Sequence, residues 1–218
     1  MRRMVSIVGM SALLMTAGAI ALPNVAGAAR PVTRCNGTLA PGTYGKVIVP
    51  KGAVCLSDGV VRIHGGLWIK SGATFVLGSE ESGWTTGTIN GGVHATDPAS
   101  VQIHFARING GVKIQGGAGA FGPPFDVTWN AIEDNVIRGG ATIVDYDGFW
   151  MGFIRNHVTG TVTMRHNVLQ DPDGNEYVSN HINGNLKCFG NSPAAQVGDS
   201  QGDANVVTGR TRGQCARI

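Results

Sequence analysis

The sequence predicts an all-β protein, a single-stranded right-handed parallel β-helix: one chain wound into a solenoid of about eight coils. Three observations predict it. A short apolar–glycine phrase recurs along the chain, asparagines recur in one phase of that repeat, and the four cysteines fall as two neighbouring pairs near its two ends.

The leader comes first in the chain and is set apart from the fold. Arg2 and Arg3 form a basic start, Met4 to Leu22 is apolar but diluted by Gly and Ser, and Ala26-Gly27-Ala28 is a small-residue cleavage site after Pro23. This is the layout of a secretory signal peptide. The expected organisation is therefore a signal peptide over 1–28 and a single β-helix domain over 29–218. The apolar run falls short of the roughly 20 residues of a membrane anchor, so no membrane span is expected once the leader is removed.

The repeat reads apolar, any, Gly, small or polar, apolar, any, apolar. Its clear copies are Ile63-His-Gly65-Gly-Leu67-Trp-Ile69, Ile89 to Ala95, Ile108 to Ile114, Ile137 to Ile143, Val158 to Met164 and Ile182 to Cys188. Weaker copies start at Thr43 and Val207, which gives steps of 20, 26, 19, 29, 21, 24 and 25 residues. Alternation of period two marks strands, and a repeat of this length makes one coil that buries its apolar side chains against its neighbours. The Gly of each copy marks a sharp corner. A further strand begins nine residues after a copy start, at Gly52, Gly72 and Pro98. The longer steps place turn insertions at Gly116 to Pro124 and Gln170 to Glu176.

Asn135, Asn156, Asn180 and Asn205 each precede a copy start by two residues, which predicts a ladder of stacked amides along one edge. Cys35 and Cys55 lie eight residues before 43 and 63, and Cys188 and Cys215 lie six and eight residues into the last two copies. Stacked coils about 4.8 Å apart bring such pairs into disulfide range. Four cysteines permit three pairings, and this register selects Cys35–Cys55 and Cys188–Cys215, closing both ends of the rod. Leader and paired cysteines together predict an oxidising location: secreted, extracellular or at the cell envelope.

Candidate chemistry is sparse. Without Arg2 and Arg3 the chain has 15 basic and 14 acidic residues, a balance that gives no reason to expect a nucleic-acid partner. Basic residues (Arg30, Arg34, Lys46, Lys51, Arg62, Lys70) crowd the beginning, and eight acids lie between Asp126 and Glu176. Asp145 and His166 share a phase on neighbouring coils, as do Asp134 and Arg155. Each pair reads first as a surface ion pair; the sharper reading makes Asp145, His166 and Arg155 catalytic candidates. Asp145, Asp147, Asp171, Asp173 and Asn175 supply hard oxygens at the alternate spacing of a calcium loop, with its Gly out of place for an EF-hand. Ca²⁺ is the one cofactor the pattern suggests; turn-forming Asp is the plainer explanation. His157 and His181 share a phase without an evident third metal ligand. Trp68 and Trp84 are candidates for stacking on sugar rings, whereas Trp129 and Trp150 read as corner residues. No nucleophile elbow, phosphate loop or dinucleotide fingerprint occurs.

The ending Gly184-Asn-Leu-Lys-Cys188-Phe-Gly-Asn-Ser-Pro193, with Gly209 and Gly213-Gln-Cys215, and the repeated Gly-Gly-Val phrases resemble the uncharacterised secreted right-handed β-helix proteins of actinobacteria. More distantly the architecture is similar to pectate lyases, a likeness of fold that implies no activity. The expected function is a secreted or envelope-associated, non-catalytic β-helix presenting flat sides to a glycan polymer, a cell-envelope component or a protein partner. The alternative is a small polysaccharide lyase or glycosidase working through the acidic turn loops.

Overall fold

A computed structural model describes residues 31–57, 59–80, 86–117, 129–198 and 202–218. The leader and Trp84 lie outside the described residues. The chain winds through three parallel sheets in which each strand pairs with its counterpart one coil away.

The first sheet stacks β1 (Thr33–Arg34), β4 (Val47–Val49), β7 (Leu67–Ile69), β10 (Val93–Thr96), β13 (Val112–Gln115), β16 (Ala141–Val144), β19 (Val162–Arg165), β22 (Leu186–Phe189) and β24 (Thr211–Gly213). The second stacks β2 (Gly37–Thr38), β5 (Val54–Ser57), β8 (Thr74–Leu77), β11 (Ser100–His104), β14 (Trp129–Glu133), β17 (Trp150–Ile154) and β20 (Asn175–Val178). The third runs through β3 (Gly42–Tyr44), β6 (Val61–Ile63), β9 (Gly87–Asn90), β12 (Ala106–Asn109), β15 (Val136–Arg138), β18 (His157–Thr159), β21 (His181–Asn183) and β23 (Val206–Val207). This is a parallel β-helix.

Each repeated phrase spans the corner between the third sheet and the first, so it holds two strands with the Gly between them. Its leading residue forms a buried inner column, Ile63, Ile89, Ile108, Ile137, Val158 and Ile182, in register from coil to coil. The glycine corner is obligatory because backbones stack on one another there. Gly110 has φ 108°, and a Cβ on it would lie 2.7 Å from the amide nitrogen of Gly92. The first coil departs from the expected count: Tyr44, not Thr43, pairs with Ile63, because its corner is one residue shorter.

The asparagine ladder forms as expected. Asn135 accepts from Ala106 N, and Asn156, Asn180 and Asn205 each accept from the backbone N–H of the Asn below, at 2.9–3.1 Å. Each amide nitrogen donates to a main-chain carbonyl and, from Asn135 to Asn180, also to the next Asn. The residue before each of three ladder positions, Asp134, Arg155 or Ser179, has φ of 55–57°. A single left-handed residue thus turns the chain from the second sheet to the third, points outward, and leaves the next residue to point in. The opposite corner repeats the device. Asp145, His166 and Gly190 are left-handed, and Asn167 and Asn191 form a second ladder that ends on Gln214. Asn167 and Asn191 share one phase, nine residues after the copy starts at Val158 and Ile182.

Both disulfides form as expected, Cys35–Cys55 with Cα atoms 5.5 Å apart and Cys188–Cys215 at 5.3 Å. The stacking argument behind the first needs correction. Cys35 follows β1 on the first-sheet side, and the residue in register with Cys55 is Gly37. The bridge therefore links two sheets across the end of the coil instead of joining two stacked positions.

Candidate functional site

Alternation sends every second strand residue outward, and stacking lines these residues into rows. On the first sheet one row runs Arg34, Ile48, Trp68, His94, Lys113, Thr142, Thr163, Lys187 and Arg212, nine coils in strict register. At about 4.8 Å per coil it extends roughly 40 Å. Lys46, Lys70, Arg165 and Arg210 flank it. Trp68 stacks on His94 with ring centroids 4.3 Å apart, and the ammonium groups of Lys46 and Lys70 lie 4.9 and 5.5 Å from the Trp68 ring, within cation–π range. Lys187, Arg210 and Arg212 line a groove with Asn185 at the far end.

The strands sort the charges by face. Among the described strands, those of the first and third sheets carry Arg34, Arg62, Arg107, Lys113, Arg138, Arg165, Lys187 and Arg212 and no carboxylate; those of the second carry Glu133 and Glu176 and no cation. Among the described residues, no carboxylate pairs with a first-sheet cation. The strand charges are thus segregated around the rod, with cations on the first and third sheets and carboxylates on the second.

The second sheet has a different outer face, because its outward residues are buried. One row reads Gln102, Ala131, Gly152 and Glu176; the next reads His104, Glu133, Ile154 and Val178. In the first of these rows two large polar residues flank two small ones. A Cβ on Gly152 would collide with the ring edge of Trp150 and lie 2.7 Å from Glu133 Oε1, so indole and carboxyl converge over that glycine. The Trp150 indole N–H donates to Glu176 Oε1 at 3.3 Å.

Arg155, turned outward by its left-handed backbone, gathers the acids at this edge. Its guanidinium donates to Asp134 at 2.7 and 2.9 Å, to Glu80 at 2.9 Å and to Glu133 at 3.5 Å. Glu80 and Glu133 hydrogen-bond to each other. The Glu133 side chain is 2% exposed and that of Glu80 61%, so burial first, then the Glu80 partner, pushes the Glu133 carboxyl up to about 9. The same hydrogen bond lowers Glu80. At neutral pH the proton of the pair resides on Glu133. Burial lowers His104, whose side chain is 5% exposed and whose Nδ1, 3.8 Å from Glu133 Oε2, has no hydrogen-bond partner among the described residues.

The other sequence candidates are placed as follows. Asp145 and His166 meet at 3.4 Å as an exposed pair on the opposite corner, away from Arg155. Asp145 and Asp147 share a shallow depression with Asp97. The alternate-oxygen loop is not assembled as a calcium site. Asn175 is fully buried and hydrogen-bonds Asn167, Pro193 and Tyr177, while Asp171 Oδ1 accepts from the Asp173 N–H as in an ordinary Asx turn. Among the described residues no three His, Cys, Asp or Glu side chains converge to hold a metal. His157 and His181 stack at 4.9 Å on the third sheet. Trp129 and Trp150 are half-buried and in register on the second sheet, not at a corner. Glu80, Glu133 and His104 were missed, because an outward polar residue reads as solvated. The available signal was that the phase pairing Asp134 with Arg155 also sets Glu133 over His104.

No protein family, curated protein or solved structure matches this chain. Two disulfides fit an oxidising environment, and among the described residues no helix is long and apolar enough to cross a membrane.

Proposed function

We propose that the protein is a secreted or envelope-associated β-helix that binds an extended anionic glycan along the outer face of its first sheet. The observation that carries this reading is the nine-coil row with its flanking cations, with no carboxylate on the described strands of that sheet, and the Trp68–His94 stack within it. Unpaired cations on a rigid, flat surface attract a polyanion over its whole length. A half-exposed indole offers the apolar plate on which a sugar ring stacks.

Affinity electrophoresis of the mature chain in gels containing polygalacturonate or a neutral glucan tests this. Retardation by the acidic polymer, weakened by salt and by Trp68→Ala and Lys113→Glu, is the expected outcome. Equal retardation by both polymers, or preferential retention by duplex DNA, overturns it.

A further inference from the structure

The far end of the first sheet holds a groove whose chemistry is narrower than that of the face as a whole, and it stands apart from whatever the rest of that face binds. We propose that Lys187, Arg210, Arg212 and Asn185 form a binding site for a tetrahedral oxyanion, a phosphate or sulfate group.

Four observations lead to it. The four residues line one groove of about 320 Å³ over the last two coils. Lys187 on β22 and Arg212 on β24 stand in register on neighbouring coils, a like-charge cross-strand pair that costs stability where nothing neutralises it. Arg210 adds a third cation to the same groove, and among the described residues no carboxylate pairs with any of the three. Finally, Asn185 Oδ1 accepts the Arg210 backbone N–H at 2.9 Å, which leaves the amide its Nδ2 to offer. Each of the four side chains thus presents donors, and the one acceptor oxygen among them is already engaged.

A groove of donors calls for a ligand made of acceptors. A phosphate or sulfate group gathers several accepting oxygens on one centre and sets its negative charge against the three cations. A guanidinium meets two such oxygens side by side, while the Lys ammonium serves as a point charge. A carboxylate, with two oxygens and a single charge, satisfies fewer of these donors. The scaffold holds the donors in place beforehand. Cys188 follows Lys187 in β22, and its bridge to Cys215 fastens that strand to the helical turn Gln214–Arg217 after β24. A bound anion relieves the repulsion between Lys187 and Arg212, so binding and fold stability are linked.

Thermal melting of the full mature chain at constant ionic strength tests this, with inorganic phosphate and inorganic sulfate compared against acetate and chloride. Wild type is expected to gain roughly 3–6 °C at about ten times the dissociation constant of phosphate or sulfate. Lys187→Gln is expected to melt higher than wild type without anion, because the like-charge pair is gone, and to lose the response. Arg212→Gln is expected to weaken the response at least tenfold in anion concentration, and Arg62→Gln, on the third sheet, to keep it. Dextran sulfate identifies the source of the group. If the site takes an ester on a polymer, the part of the shift that Arg212→Gln removes appears at a lower sulfate-group concentration than with inorganic sulfate; if it takes a free anion, no such gain appears. Equal shifts in wild type and Lys187→Gln, the mark of a general salt effect, or equal shifts with sulfate and acetate, overturn the proposal. Small anions probe the groove alone, so this result and the retardation by polygalacturonate can fail separately.

Discussion

Asn156 sits in the middle of the longer amide ladder, and its replacement by Ala measures what the ladder contributes. The Asn156 side chain makes four hydrogen bonds. Oδ1 accepts from the backbone N–H of Asn135 at 3.1 Å and from its Nδ2 at 3.2 Å; Nδ2 donates to Ile132 O at 2.7 Å and to Asn180 Oδ1 at 3.1 Å. After truncation Asn135 Nδ2 still reaches Ile103 O, and Asn180 Oδ1 still accepts from the Asn156 N–H. The Asn135 N–H loses its side-chain acceptor and Ile132 O loses one donor, both inside the rod. Stranding a buried polar group costs about 1–3 kcal/mol, so the expected loss is roughly 2–5 kcal/mol. Asn205, at the open end and only half-buried, is expected to cost less when truncated, because water replaces its bonds. Urea unfolding monitored by circular dichroism, with the transition slope checked for constancy, reads both numbers. A loss below about 0.5 kcal/mol for Asn156→Ala, or a larger loss for Asn205→Ala, refutes the argument that buried main-chain groups depend on these amides.

The proton on Glu133 makes stability depend on pH in a definite sense. The unfolded carboxyl ionises near 4.5 while the folded one holds its proton to about 9, so the folded state binds the extra proton and loses stability as pH rises between them. Above 6.5 the lowered His104 adds no opposing slope. Melting between pH 6.5 and 9 should therefore fall by up to about 1.4 kcal/mol per unit in wild type and stay flat in Glu133→Gln; equal slopes refute the assignment. Gly110→Ala is expected to destabilise by at least about 1–3 kcal/mol, because Ala at φ 108° is strained and its Cβ meets Gly92 N. An unchanged urea midpoint would show that the corner relaxes freely.

Much of the architecture was legible in the chain, and for one physical reason. A parallel coil repeats its environment at every turn, so residues doing one job recur in one phase. Ile63, Ile89 and Ile108, the four ladder asparagines, and the Asp134–Arg155 and Asp145–His166 pairs are all read by counting. Counting fails where the repeat changes length. The short first corner shifts Tyr44 into the place of Thr43, and the second ladder begins only at Asn167 because the preceding coils put Pro98, Gly117 and Tyr146 after the same left-handed corner. It also fails where neighbours decide a residue's character. Asn175 reads as a metal-loop oxygen but is drawn inward by Asn167 and Tyr177.

The sequence alone determined the strand phase and the inward set, since these follow from periodicity and the rise between stacked strands. It named the right cysteine partners, although the Cys35–Cys55 bridge crosses between two sheets. Tertiary structure decided which face each charge occupies and which outward residues are shielded from water. Those depend on what lies across the surface from a residue many positions away. Glu133 has the pattern of a solvated acid, and only its burial beside Glu80 and His104 turns it into a proton store.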